Sequence, residues 1–151
     1  MQAADFVNEK RLRKDFESLR ELSKDPEGGV TRLAYTETET KAHRYAASEA
    51  EKLGLSARTD SVGNLYIRMG NETKPAIRMG SHLDSVNNGG NYDGTVGVLT
   101  SLEVLRCLAQ AKAELQYPVE LVVFRAEESA RFNKGCIGSE IVTGKLTERE
   151  A

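Results

Sequence analysis

Two short apolar runs on either side of one long amphipathic segment constrain this chain more tightly than any other feature of its sequence. Pro118 introduces Val119-Glu120-Leu121-Val122-Val123-Phe124, an apolar, β-branched run suited to a strand buried in a parallel sheet. Residues 76–80 read as an earlier strand. Between them, residues 93–112 set Val96, Leu99, Leu102, Leu105, Leu108 and Ala109 on one stripe, which predicts an amphipathic helix. Strand, loop, helix and strand over 76–124 make a βαβ unit, whose crossover is right-handed in nearly all folds. Parallel strands end on the same side of their sheet, so the residues after Gly80 and those after Phe124 are expected to share one crevice.

The remaining elements are of ordinary length. Residues 8–23 carry Leu12, Phe16, Leu19 and Leu22 at helical spacing, and Pro26 with Gly28-Gly29 ends the pattern. Thr36 and Glu39 suggest a capping box opening a second helix, with Ala42, Tyr45, Ala46, Ala50 and Leu53 on its apolar face and Gly54 at its close. From Leu55 the period shifts toward two, with a turn at 61–64, a strand at 65–69 and another turn at Gly70-Asn71, which reads as a hairpin. No repeat interrupts the chain, so one unit over 1–151 is expected.

Composition excludes several functions. Lys plus Arg number 21 against 23 for Asp plus Glu, and without a basic block an electrostatic grip on nucleic acid has little to build on. Apolar runs fall far short of the ~20 residues that span a bilayer. The first 16 residues lack the ordered pattern of a secretory signal, so a cytoplasmic, unprocessed protein is expected. Cys107 falls in the helical stripe and reads as a small buried hydrophobe. Cys136 sits in a Gly-rich loop, and with no C-x-x-C pair, metal-thiolate chemistry is not expected.

The polar residues at the two strand ends are the ones that point to chemistry: His82, Asp84, Asp93, Glu127 and Glu128, with a glycine-rich loop over 89–94. One imidazole with several carboxylates suits a divalent cation such as zinc, manganese or cobalt, and crowded carboxylates would repel one another without one. In His82-x-Asp84 the carboxylate can hold the imidazole N–H that faces away from a metal. Asp93 opens a helix, where its two oxygens could bridge two cations. The adjacent Glu127 and Glu128 invite separate roles, one as ligand and one as base for a water whose pKa a metal lowers toward ~7. His43, the other histidine, reads as a surface residue on the polar side of the second helix.

Gly80-Ser81-His82-Leu83-Asp84-Ser85-Val86, Asn88-Gly89-Gly90-Asn91-Tyr92-Asp93-Gly94 and Phe124-Arg125-Ala126-Glu127-Glu128-Ser129 with Arg131-Phe132 resemble the zinc-dependent aminoacylase and carboxypeptidase-like amidohydrolases. The closer likeness is to the hydantoin-utilisation branch: N-carbamoyl-L-amino-acid hydrolase, allantoate amidohydrolase and bacterial-type β-ureidopropionase. Pro26-Glu27-Gly28-Gly29-Val30-Thr31-Arg32 and Ser61-Val62-Gly63-Asn64-Leu65 resemble its N-terminal signatures. The resemblance implies an α/β fold, a three-layer zinc-exopeptidase-like catalytic domain with a mostly parallel central sheet. It implies two divalent metal ions (Zn, Mn, Co or Ni), with His82, Asp93 as bridge and Glu128 as ligands, Glu127 as general base and acid, and Asp84 orienting His82. The implied substrate is a small linear amide. Two further histidine ligands of the family, its C-terminal strands and its lid or dimerisation domain have no counterpart here. The chain is therefore expected to be an N-terminal portion, with weak or partial metal occupancy, inactive alone and without the surface through which the family forms homodimers. A non-catalytic remnant and a related metallo-aminopeptidase or dipeptidase are the competing readings.

Overall fold

The computed structural model describes residues 2–147. After a short 3-10 turn at Ala3–Phe6, the elements run α1 (Glu9–Ser23), α2 (Glu37–Glu51), β1 (Ala57–Thr59), β2 (Leu65–Met69), β3 (Ile77–His82), α3 (Thr95–Gln110), β4 (Val119–Phe124) and α4 (Ile137–Val142). The Asn8 side chain caps α1 by accepting from the Arg11 N–H. Thr36 caps α2 by accepting from Glu39 N at 3.3 Å, but the Glu39 carboxylate turns to Tyr35 N, at 2.6 Å, one residue before the reciprocal position of a capping box.

The four strands lie in the order β1-β2-β4-β3. The β1–β2 hairpin closes through Asp60, whose Oδ1 accepts from Asn64 N at 2.9 Å, and pairs antiparallel. β2 also pairs antiparallel with β4, while β3 and β4 run parallel and form the βαβ unit with α3. In this chain the sheet is thus mixed, with parallel pairing confined to the crossover unit. β3 continues past the expected Gly80 to His82, which lies in register with Phe124.

Helices α1, α2 and α3 cover one sheet face. Leu19, Ala42, Ala46 and Ala50 meet Leu99, Leu102 and Leu105 from α3 and Leu65, Ile67, Leu121 and Val123 from the strands in one apolar cluster. The helices are also tied by charge. Arg106 of α3, 3% exposed along its side chain, pairs with Asp15 of α1, with Glu49 of α2 at 2.7 Å and with Glu103 at 3.4 Å. Arg11 reaches the same Glu103 at 2.6 Å.

On the opposite face the fully buried Glu120 is gripped by Arg78 at 2.7 Å, Arg58 at 3.1 Å and Arg68 at 3.5 Å. The Arg58 guanidinium lies 4.1 Å from the centre of the Tyr66 ring, within cation–π range. Alternation along the strands explains the split: Leu121 and Val123 point into the core, Glu120 and Val122 away from it.

One expectation is corrected. His43 is 5% exposed, because Glu39, Ala42, His43, Ala46 and Ala50 form a single buried stripe at i, i+3, i+4 spacing. Its polarity suggested the outer face, but its position places it inside. Burial lowers its pKa, against the opposing pull of Glu39, while the nearby Arg125 charge adds to the lowering. A group depressed on folding binds fewer protons in the native state. Stability should therefore fall as pH drops below 6.5, the ordinary imidazole value, toward the lower folded value. His43→Gln should flatten that part of a denaturation-versus-pH curve, and an unchanged slope would contradict it.

Candidate active site

The site forms where β3 and β4 end together. His82, 5% exposed, closes β3. Its Nδ1 lies 3.1 Å from the Asp84 carbonyl and 3.4 Å from Asp84 Oδ1. A proton on Nδ1, shared with these two acceptors, would leave Nε2 as the nitrogen able to ligate a cation. Nε2 looks toward Glu127 Oε2 at 3.4 Å and Asp93 Oδ1 at 3.8 Å.

Asp84, 1% exposed, has a second task. Its Oδ1 accepts from Glu127 N at 3.2 Å and its Oδ2 from Glu128 N at 2.9 Å. One carboxylate thus joins the loop after β3 to the loop after β4. Of the five residues expected at this crevice, Asp84, Asp93 and Glu127 each bring a carboxylate within 4 Å of the His82 imidazole, and Glu128 joins through its backbone N–H to Asp84.

Backbone shape holds the glutamate pair in place. Ala126 is fully buried with φ 51, a left-handed conformation that a non-glycine residue keeps only under constraint. The constraint is the returning chain: Cys136 N, Ile137 N and Gly138 N donate to the carbonyls of Glu127, Ala126 and Arg125 at 2.8, 3.0 and 3.0 Å. The Cys136 thiol also lies 3.5 Å from Glu127 Oε1.

Sequence reading missed two contributors. Arg32 is fully buried; its Nε donates to the Leu83 carbonyl at 2.7 Å, Nη1 to Ser23 Oγ at 2.7 Å and Nη2 to Thr95 Oγ1 at 2.9 Å. It therefore braces the peptide between His82 and Asp84 against α1 and α3. Burial lowers its pKa to about 10 although Asp84 and Glu39 pull the other way. The Cys136 contact with Glu127 was the other omission. An arginine inside the quoted Thr31-Arg32 signature was the one available hint.

Electrostatics reflect the crowding. Burial raises the Glu128 pKa, and the charges of Asp93, Glu127 and Asp84 raise it further against the pull of His82. Burial lowers the His82 pKa, but the hydrogen bond and charge of Asp84 with the charge of Glu127 outweigh it, so the net shift is upward. An imidazole among carboxylate oxygens is a donor set whose crowding a divalent cation would relieve. Among the described residues, however, no three His, Cys, Asp or Glu side chains stand together in an arrangement that could hold a metal ion.

Gly94 seats the ring. It has φ 61, and an added Cβ would lie 2.5 Å from the His82 carbonyl oxygen and 2.6 Å from both Cε1 and Nδ1 of the imidazole. Gly94→Ala is therefore expected to push the ring off Asp84, read as a displaced His82 signal in a spectrum of a chain with 2 histidines. An unmoved signal would contradict this seating.

Comparison with known proteins gives a consistent picture. The profile of Peptidase family M28 matches residues 64–149. N-carbamoyl-L-amino acid amidohydrolase of Geobacillus stearothermophilus is 40% identical over 143 residues, 93% of this chain and 35% of that protein. Allantoate amidohydrolase of Bacillus subtilis is 36% identical over 137 residues, 89% of this chain and 33% of its own length. A crystal structure of a hydantoinase/carbamoylase family amidase from Burkholderia ambifaria superposes with a TM-score of 0.92 at 33% identity, covering 100% of this chain and 38% of that one. The chain thus spans about a third of the curated relatives it matches. No helix among the described residues is long and apolar enough to cross a membrane.

Proposed function

Since the chain belongs to peptidase family M28, we propose that it supplies part of the reactive centre of a hydrolase that cleaves the C–N bond of a linear amide. The substrate class is an N-carbamoyl-L-amino acid, allantoate or ureidopropionate. The observation that carries this reading is the His82 imidazole, oriented by Asp84 so that Nε2 faces Asp93 and Glu127.

His82, Asp93 and Glu128 are the residues that would hold two divalent cations, and such cations would supply Lewis-acid polarisation of the amide carbonyl and a more acidic water. The chemistry of these nitrogen and oxygen donors suits such cations and the mutual repulsion of the carboxylates favours them, although the side chains as they stand are not gathered into a metal-holding arrangement among the described residues. Glu127 takes a proton from the attacking water as its oxygen adds to the carbonyl carbon. It then delivers that proton to the departing nitrogen as the C–N bond breaks. Asp84 fixes the imidazole tautomer and, through the Glu127 and Glu128 N–H groups, the separation of the two loops. A carbamoyl substrate would yield an amino acid, carbon dioxide and ammonia.

The test uses a protein carrying these residues within a chain of the relatives' length. Ammonia release from N-carbamoyl amino acids and from allantoate should be abolished by chelation and restored by adding back zinc, manganese or cobalt. No turnover on either substrate would sink the reading. Because the matching profile is that of a peptidase family, dipeptides belong in the same assay, and cleavage of these alone would favour the aminopeptidase or dipeptidase reading instead.

A further inference from the structure

A second polar cleft lies away from the strand-end carboxylates, between α2 and the β1–β2 hairpin. Its volume is about 350 Å³, and its lining includes Thr40, His43, Arg44, Arg58, Thr59 and Arg125. The composition of this wall is uneven: three arginines and two threonines line the cleft against one carboxylate residue, Glu51. The other carboxylates that pair with these arginines do not line the cleft. Arg58 meets Glu120 at 3.1 Å on the opposite sheet face, Arg125 meets the buried Glu39, the Gly63 carbonyl at 3.2 Å and Thr40 Oγ1 at 3.4 and 3.5 Å, and Arg44 meets only the exposed Glu37, at 3.0 Å, among these contacts. A guanidinium has five N–H donors, so the single pairing of Arg44 leaves donors unused.

The floor supplies an independent sign of a missing partner. His43 is 5% exposed, yet neither ring nitrogen has a hydrogen-bond partner, and Glu39 Oε1 behind it also lacks one. Nε2 stands 3.5 Å from that oxygen, at the edge of hydrogen-bond distance, so Nδ1 is the ring atom that lacks any partner. Buried polar atoms without partners are uncommon in native proteins. Here one such side chain lines a cleft rich in cationic donors.

We infer that this cleft binds a small oxyanion, a carboxylate or a phosphate, held by Arg44 at its wall with His43 as its floor. A cation would be repelled by the three lining arginines, and an apolar ligand would strip water from the Arg44 guanidinium without replacement. The volume is near the lower end for small-molecule sites. This inference does not depend on the amidohydrolase reading, since none of the strand-end carboxylates or His82 lines the cleft.

The two histidines of the chain make the test direct. Inorganic phosphate and acetate are titrated separately into the metal-free 151-residue chain at constant ionic strength, following both imidazoles by NMR. A saturable shift of His43 with His82 unmoved is expected for at least one anion, and the anion that produces it distinguishes phosphate from carboxylate. Arg44→Gln changes an exposed residue and should leave the fold intact while weakening that binding about tenfold, the effect of one charge-assisted contact. Absence of a saturable His43 shift with both anions, a shift confined to His82, or equal affinity in Arg44→Gln would each overturn the inference.

Discussion

Replacing Glu127 with glutamine in a protein of the relatives' full length is expected to lower turnover by about 10²–10⁴-fold, the range for loss of a general acid–base group, while bound metal stays unchanged. Glutamine keeps the side-chain length and an oxygen within reach of the Cys136 thiol, 3.5 Å from Glu127 Oε1 in the native chain. The Asp84 bond to the backbone N–H at 127 does not involve the side chain at all. What disappears is the capacity to accept a proton. Glu128→Gln is expected to behave differently, with metal content falling along with activity. Because Glu127 Oε2 is 3.4 Å from His82 Nε2, the pair of variants is read together. Loss of metal in Glu127→Gln with metal retained in Glu128→Gln would exchange the two roles.

Arg106→Met should destabilise the chain by about 3–5 kcal/mol, the usual effect of removing one partner from a buried ion pair. Methionine fills most of the space left by the stem but leaves Asp15 and Glu103, 4% and 5% exposed along their side chains, without their shared cation. Asp15 would retain only the Tyr45 hydroxyl, at 2.7 Å, of these polar contacts, and Glu103 would retain Arg11. Urea unfolding midpoints of the two proteins measure the loss. A change under 1 kcal/mol, as for an exposed pair, would show that the helices are held by apolar packing alone. The carboxylates in this network add a pH dependence. For Glu49 and Glu103, burial raises the pKa but hydrogen bonds from Lys52 and Arg106, and from Arg11, outweigh it, so both end below the ordinary 4.5. Their contribution is present above that value and is lost as pH falls through the lower folded values.

The parts of the fold legible in the sequence are those whose signal is local. Val119–Phe124 carries its β-branched pattern in six consecutive residues, and the α3 stripe repeats over four turns, so both were readable without knowledge of neighbours. The shared crevice followed from connectivity, because parallel strands must end together. Features that depend on distant residues were not legible. Arg32 draws its partners from Ser23, Leu83 and Thr95, a set that no spacing rule joins. His43 was misplaced because side-chain polarity was weighed over its position on the stripe of Ala42 and Ala46. α4 is too short to show a period, and its N-cap and first two residues are set by pairing with the carbonyls of residues 125–127.

Asp84 grips the N–H groups of Glu127 and Glu128 with the same carboxylate that faces the His82 ring. Imidazole and glutamates are consequently geared to one another: a drift in either loop is passed to the other through a single hinge pin. A substitution that adjusted the ring alone, or the glutamates alone, is therefore not available at this position, and any retuning of the pocket must move both halves in step.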